Sequence, residues 1–481
     1  MNQEKFVEIF LETEYKNDFF SLDINGLKPW HYIRHEVADS ILASYGICEI
    51  DNRIRFNEYN DRSWSQIKHQ RFIGNQYYAE RRDVLIIPHQ RRFHSHKGYY
   101  KCLFTDQLSR SLKRSFYLLD LGDLYHGWLP MDFKEVLFWD FDDYIKKNNL
   151  KPDDQLPLNE STFENRFVNP LKEAFCSCTI DNKYVDSWKE KTYWCLAMHD
   201  LYRSYYEFLL DKIQPKTIII MVYYGYTWMV LCEVAKDRRI PVIELQHGQV
   251  NRNVIDYNFL GNDLMPAFPD YFFSFGELEK EARMPIPKSH IISVGFPELE
   301  CNSVKKAERN KRKTILFISS MKKELAKCAY QLAEILNSDQ YHVIFKCHPK
   351  EVDSWRQDYG MYLENSVIEV ADTMECTVHD YMSISDWVIG VSSSALYEAT
   401  VFNVKIGILK ISDYDYVKTL YESGEAKLFA DVRELYETIV QDSFHPSKQG
   451  HFYKKNSINN MISSIEYVIG NKIHGSKTIM E

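Results

Sequence analysis

No stretch of the 481-residue chain approaches the ~20 consecutive apolar residues that a spanning helix needs, so no segment reads as transmembrane. Met1-Asn2-Gln3-Glu4-Lys5 does not begin a signal peptide, and a cytoplasmic location is expected, with peripheral attachment to the inner face of the membrane as its variant. Gly (18) and Pro (15) are too few for long low-complexity segments. A basic excess is also missing: the net charge of −9 excludes the broad positive footprint that nucleic-acid binding requires. Ten cysteines are scattered along the chain, and only Cys176 and Cys178 lie close together. Without a second pair or nearby histidines they form no zinc pattern, so free thiols in a reducing compartment are expected.

What is present suits a globular protein, with 45% hydrophobic and 26% charged residues. The 33 Tyr and 28 Phe fill large cores, with sugar-stacking surfaces as their second use. The chain is longer than one core usually grows, which predicts two domains. Lys305-Lys306-Ala307-Glu308-Arg309-Asn310-Lys311-Arg312-Lys313 reads as a solvated linker, although its charge also suits an anionic surface.

From residue 217 a strand–helix rhythm sets in. Thr217 to Val222, Pro241 to Leu245, Tyr271 to Phe275 and Ile291 to Val294 read as strands, with helices at Thr227 to Arg238 and Glu277 to Arg283. After the basic run it restarts with strands at Thr314 to Ile318, Tyr341 to Cys347, Val367 to Val370, Asp386 to Val391 and Val404 to Leu409. Such alternation predicts α/β architecture: two Rossmann-like, doubly wound parallel-sheet domains facing a cleft. The expected division is 1–303, a linker 304–313, and 314–481. In the first domain, Val84 to Ile87 and Phe116 to Leu119 read as opening strands, Ser187 to Leu210 as a long helix, and residues 1–80 as an α-rich extension. Ile458 to Ile469 keeps helical apolar spacing and should pack back on one domain.

In open α/β sheets ligands bind beyond the carboxyl ends of the strands. His348 and Pro349 follow one predicted strand, and Ser392-Ser393-Ser394 with Glu398 follow another. Serines opening a helix offer hydroxyls and backbone N–H groups to a phosphate. His348 suits a donor phosphate, and Lys346 adds positive potential. Glu398, four residues after Ser394, suits ribose hydroxyls. Ser319-Ser320 repeats the device at the end of the first C-terminal strand. On the other sheet, Gln246-His247-Gly248-Gln249 follows the Leu245 strand; a histidine there can take a proton from a hydroxyl near neutral pH. Bland readings exist for each: a strand exit, a serine cap, a turn histidine. Asp140 and Asp142 imitate a metal-binding Asp-x-Asp but stand outside any nucleotide pocket, and a helix start or an acceptor-side acidic loop is expected there. Asp120 and Asp123 are lesser candidates.

Leu245-Gln246-His247-Gly248, Lys346-x-His348-Pro349 and Ser385-Asp386 leading to Ser392-Ser393-Ser394 and Glu398 together resemble bacterial surface-polysaccharide transferases of GT-B fold, those of capsule and O-antigen. They are similar also to teichoic-acid glycerophosphotransferases and capsular sialyltransferases. The resemblance covers residues 215 to 410. It implies metal-independent transfer, without a cofactor, from a nucleotide-activated sugar to a glycan or lipid-linked glycan hydroxyl. His247 would be the base, with Gln246, Gly248 and Gln249 on the acceptor side. His348, Pro349, Lys346, Ser319, Ser320, Ser392, Ser393, Ser394 and Glu398 would hold the donor. A CDP-polyol phosphotransferase, a nucleotide-sugar 2-epimerase and a non-catalytic glycan-assembly protein are the rival readings.

Overall fold

The computed structural model describes residues 1, 3–24, 26–46, 75–89, 93–94, 99–120, 129–130, 135–153, 159–248, 250–261, 265–304, 311–364, 367–373, 376–447 and 452–474. Two compact units emerge. Residues 1–274, 278–294 and 458–481 form the N-terminal unit; 275–277 and 295–457 form the C-terminal one.

The N-terminal unit is built on seven parallel strands: β1 (Val84–Ile86), β2 (Phe116–Asp120), β3 (Val136–Phe138), β4 (Thr217–Ile220), β5 (Val242–Leu245), β6 (Tyr271–Ser274) and β7 (Ile291–Ser293). Their order across the sheet is β3-β2-β1-β4-β5-β6-β7. β4, β5 and β6 are buried at every position, which is why they read as continuous apolar runs. A small separate sheet joins Phe93–His94, Tyr99–Lys101 and Leu129–Pro130.

Helices α1 (Gln3–Lys16) and α2 (Trp30–Ser44) supply the α-rich extension, and residues 47–74 of it lie outside the described residues. They share a core of Phe6, Phe10, Trp30 and Ile33 with Phe167, Phe175 and Trp188. Trp188 belongs to α3 (Asn182–Ile213), longer than the predicted Ser187 to Leu210 because Asp181 caps its start by accepting from the Lys183 N–H. α4 (Tyr226–Asp237) follows β4.

Arg34 of α2 is buried and fixes the helix to the segment after β5. Its guanidinium donates to both Glu14 carboxylate oxygens, at 2.6 and 2.9 Å, and to the carbonyls of Ile255 and Asn258, each at 2.7 Å. The planar fork of arginine makes four such bonds possible at once. The C-terminal helix Ser457–His474 lays Met461, Ile465, Val468 and Ile469 in the N-terminal core, beside Val84, Ile219 and Ile243.

The C-terminal unit holds six parallel strands: β8 (Lys313–Ile318), β9 (Tyr341–Lys346), β10 (Ile368–Ala371), β11 (Trp387–Gly390), β12 (Lys405–Leu409) and β13 (Ala426–Phe429). Their order is β10-β9-β8-β11-β12-β13. Among its helices are α5 (Lys323–Ile335), whose Leu325, Ala329 and Leu332 pack in the sheet core, and α6 (Val378–Ile384). Both units are thus Rossmann-like. No helix among the described residues is long and apolar enough to cross a membrane.

Two local expectations differ from the structure. The helix expected over Glu277 to Arg283 is a 3₁₀ turn at Leu278–Glu281, with Pro285 and Pro287 close behind to stop any continuation. The unit boundary falls after Val294 rather than after residue 303, so the helix Pro297–Val304 belongs to the C-terminal unit. Glu300 shows why: its carboxylate accepts from the N–H groups of Asn456 and Ser457 and from the Ser457 hydroxyl, at 2.7 to 2.8 Å. Of the basic run, residues 305–310 lie outside the described residues.

Gly295 makes the same junction possible. Its φ is +91°, and an added Cβ would lie 2.1 Å from the Lys454 carbonyl oxygen. Gly295→Ala should therefore destabilise the protein by more than about 2 kcal/mol, through positive φ and steric overlap with backbone. Urea unfolding measures it; a midpoint equal to that of the parent chain would refute the assignment.

Candidate functional site

In the C-terminal sheet β8 is flanked by β9 on one side and β11 on the other. The crossover from β8 to β9 and the one from β11 to β12 run in opposite directions, and at such a switch point the carboxyl ends of the strands are left uncovered. Ser319 and Ser320 leave β8 here, and Ser392, Ser393 and Ser394 follow β11. The two loops meet: the Ser392 N–H donates to Ser320 Oγ at 3.4 Å. Ser319 is turned inward. Its N–H donates to the Lys346 carbonyl, and its hydroxyl accepts from the Met321 N–H at 3.0 Å, in a turn where Met321 has φ +56°.

The serine segment opens less helix than its spacing predicts. Ala395–Glu398 forms one α-turn and Ala399–Val401 continues as 3₁₀. Ser394 makes no side-chain cap, while Ser393 Oγ accepts from the Ala395 N–H at 3.3 Å. Bonds from Leu396 N–H to the Ser393 carbonyl and from Tyr397 N–H to the Ser394 carbonyl tighten this turn. A helix dipole is short here, so serine hydroxyls and backbone N–H groups are the available anion donors.

His348 follows β9 in an extended conformation, with Pro349 opening a short turn. Its N–H donates to Glu351 Oε1 at 2.6 Å, and its Nδ1 accepts from the Lys350 N–H at 3.2 Å. An Nδ1 that accepts leaves the proton on Nε2, as a donor. Burial lowers the His348 pKa, so the ring is neutral at pH 7. Lys346 is buried; its ammonium donates to the carbonyls of Ala371 and Thr373, at 3.3 and 2.7 Å, at the end of β10. Burial lowers its pKa as well. Glu398 is hydrogen-bonded to His379 Nε2 in the first turn of α6, and the His379 ring stacks on Phe402.

In the N-terminal sheet the same switch lies between β1 and β4, because β1 pairs with β2 on its other side. His89 follows β1, Tyr223 and Tyr224 follow β4, and Gln246, His247 and Gly248 follow β5. Their side chains converge. The Tyr224 hydroxyl lies 3.2 Å from His247 Nε2, and the His89 and His247 rings stack with centroids 5.5 Å apart. Gln246 is buried and donates through Nε2 to the Gly248 carbonyl and to Glu279, both at 2.8 Å, which fixes the loop that carries His247. Gln249 and Asp123 lie outside the described residues. Asp140 caps the helix Phe141–Lys147 by accepting from the Asp143 N–H. Asp120 is buried at the end of β2.

Below these residues sits Glu244, wholly buried on β5. Oε1 accepts from the Tyr257 hydroxyl at 2.8 Å and from the Tyr223 N–H at 3.3 Å, while Oε2 has no hydrogen-bond partner among the described residues. Burial disfavours the carboxylate and outweighs these two bonds, raising the pKa to about 8.

The strand-end rule that singles out His247 applies equally to Tyr224 and His89, which also follow apolar strands. His379 lies in the first turn of α6, and no local sequence signal marks it as a site residue.

No protein-family model matches the chain, and no curated protein matches it. Solved structures with a similar course of chain include UDP-GlcNAc 2-epimerase from Methanocaldococcus jannaschii, at 12% identity, covering 80% of this chain and 99% of that one with a TM-score of 0.47. MnaA of S. aureus, solved with UDP, aligns at 10% identity over 81% and 97% of the two chains, with a TM-score of 0.44. MurG from Acinetobacter baumannii aligns at 13% identity over 80% and 99%, with a TM-score of 0.42. At such values function has to be argued from this chain's own residues.

Glu244 gives the site a pH signature. The folded state holds its proton up to about pH 8, whereas an exposed glutamate releases it near its ordinary 4.5. Between those values the folded protein binds the extra proton, so this group's contribution to stability is full below about pH 4.5 and is lost as pH rises to 8. Glu244→Gln keeps the acceptor for Tyr257 and cannot ionise. It should remove a slope of up to roughly 1 kcal/mol per pH unit from the stability curve between pH 5 and 8. Denaturant titrations at several pH values measure it, and parallel curves for the two proteins would refute it.

Proposed function

We propose that the protein is a glycosyltransferase that moves a sugar from a nucleotide-activated donor to a hydroxyl of a growing surface glycan, without a metal ion or cofactor. The observation that carries this reading is the meeting of the Ser320 and Ser392 loops at the switch point of the C-terminal sheet, with neutral His348 at the end of the neighbouring strand β9. Hydroxyls, backbone N–H groups and a neutral imidazole N–H are donors without a fixed charge, suited to a diphosphate that must be held and then released.

In the proposed reaction the acceptor oxygen attacks the anomeric carbon, its proton passes to His247, and the carbon–oxygen bond to the phosphate breaks with the electron pair leaving on the nucleotide. Loss of the proton as the bond forms and stabilisation of the departing phosphate are the two barriers to lower. Glu398, held by His379, is the group proposed for the ribose hydroxyls. Gln246 and Gly248 belong to the acceptor side through their support of the His247 loop.

Thermal-shift titration with UDP, CMP, CDP and GDP tests the donor assignment. A nucleotide at a hundred times its dissociation constant should stabilise the protein by about 2.7 kcal/mol, and His348→Ala should lose most of that shift. His247→Ala should keep it and lose transfer. If none of the four nucleotides moves the transition, the donor assignment is wrong. Conversion of UDP-GlcNAc to its 2-epimer without acceptor, followed by NMR of the sugar, would replace transfer with epimerisation; transfer lost on adding EDTA would contradict the metal-free scheme.

A further inference from the structure

Helix α2 lies about two hundred residues before the His247 loop, yet it reaches that site. Arg34 locks α2 to the segment 255–258 through the Ile255 and Asn258 carbonyls. The next residue, His35, has Nδ1 2.9 Å from Asp256 Oδ1 and Nε2 3.5 Å from Asp39 Oδ2. Asp256 is itself held, because its backbone carbonyl accepts from the buried Tyr223 hydroxyl. The His35 ring then packs on the ring of Tyr224, with centroids 4.7 Å apart and 33° between planes. Tyr224 carries the hydroxyl that bonds His247 Nε2.

We propose that α2 is part of the His247 site: His35, anchored by Asp256, backs the Tyr224 ring, and Tyr224 is the positioning residue that fixes the orientation and tautomer of the His247 imidazole. The proposal rests on the reading of His247 as the acceptor-side base. Three features support it. The groups behind Tyr224 are tied to the buried interior: Arg34 to the Ile255 and Asn258 carbonyls, His35 to Asp256, and Asp256 to the Tyr223 hydroxyl. The Tyr224 hydroxyl ties the His247 tautomer to its own orientation: with its oxygen accepting from Nε2–H, the proton stays on Nε2 and Nδ1 keeps the lone pair a base needs. Finally, burial opposes charge on His35, but the Asp256 carboxylate and its hydrogen bond, aided by Asp39 and Glu36, prevail and raise its pKa to about 9. An imidazolium against the face of a tyrosine ring is attracted to it, which favours the observed stacking.

Histidine-selective ¹⁵N NMR of the full chain tests this without requiring activity, with the His247 signals assigned by their loss in His247→Gln. The parent protein should show one dominant neutral tautomer for His247. Tyr224→Phe should shift both ring nitrogens towards the tautomer-averaged values, and His35→Gln should shift them in the same direction by less. His290, whose Nδ1 lies 2.8 Å from the Asp270 carbonyl in the same unit, should stay unchanged in both variants and so report intact folding. His247 signals unmoved in both variants while His290 is intact would overturn the proposal. Should Tyr224→Phe alone disturb His290, the decision falls to His35→Gln. In transfer assays Tyr224→Phe should lower kcat on the order of tenfold with KM little changed. If His247→Gln leaves transfer intact, the base assignment fails, while the tautomer measurement still decides the positioning role.

Discussion

In each unit one strand has neighbours reached by crossovers that run in opposite directions. A right-handed crossover puts successive helices on alternate faces when the direction reverses, so the carboxyl ends of β1 and β4, and of β8 and β11, are left without a covering connection. Several of the candidate groups lie at or beside that opening. Ser320 and Ser392 meet across it in one unit; Tyr224 and His89 reach His247 beside it in the other. Because parallel strands bury both faces, the loops at these ends are the places where polar side chains remain available for chemistry.

The two sites are built with different stiffness. Around His348 the bonds are local: Glu351 and Lys350 are three and two residues away, and the turn is closed by Pro349. Around His247 they are long-range, running through Arg34, Asp256, Tyr223 and Glu244 into the buried interior. A local turn suits a ligand that enters and leaves, while a framework of buried, mutually bonded groups holds one geometry. Arg34 and Glu14 illustrate the dependence, since a buried pair in which each charge is fully bonded is costly to break from either side.

Much of this was legible from the chain. Continuous β-branched runs such as Thr217-Ile218-Ile219-Ile220 and Ile315-Leu316-Phe317-Ile318 announce buried parallel strands, and the residues after them fall at the strand ends where the structure has them. Less was legible where bonding is distant in sequence. The helix Pro297–Val304 looks like the tail of the first sheet until Glu300 is seen bound to Asn456 and Ser457. Lys346 looks like a free cation beside His348 until the Ala371 and Thr373 carbonyls are found around its ammonium.

The sequence by itself determined the two sheets, the strand ends and the residue types set upon them, because apolar periodicity and turn residues act over a few positions. Only the tertiary structure decided which strand ends adjoin and which side chains they share. Strand order is set by crossover direction and sheet packing, and neither leaves a local mark. His35 shows this most plainly: nothing in the surrounding helix sequence points to His247, and only the packing of α2 against the segment after β5 brings Tyr224 between them.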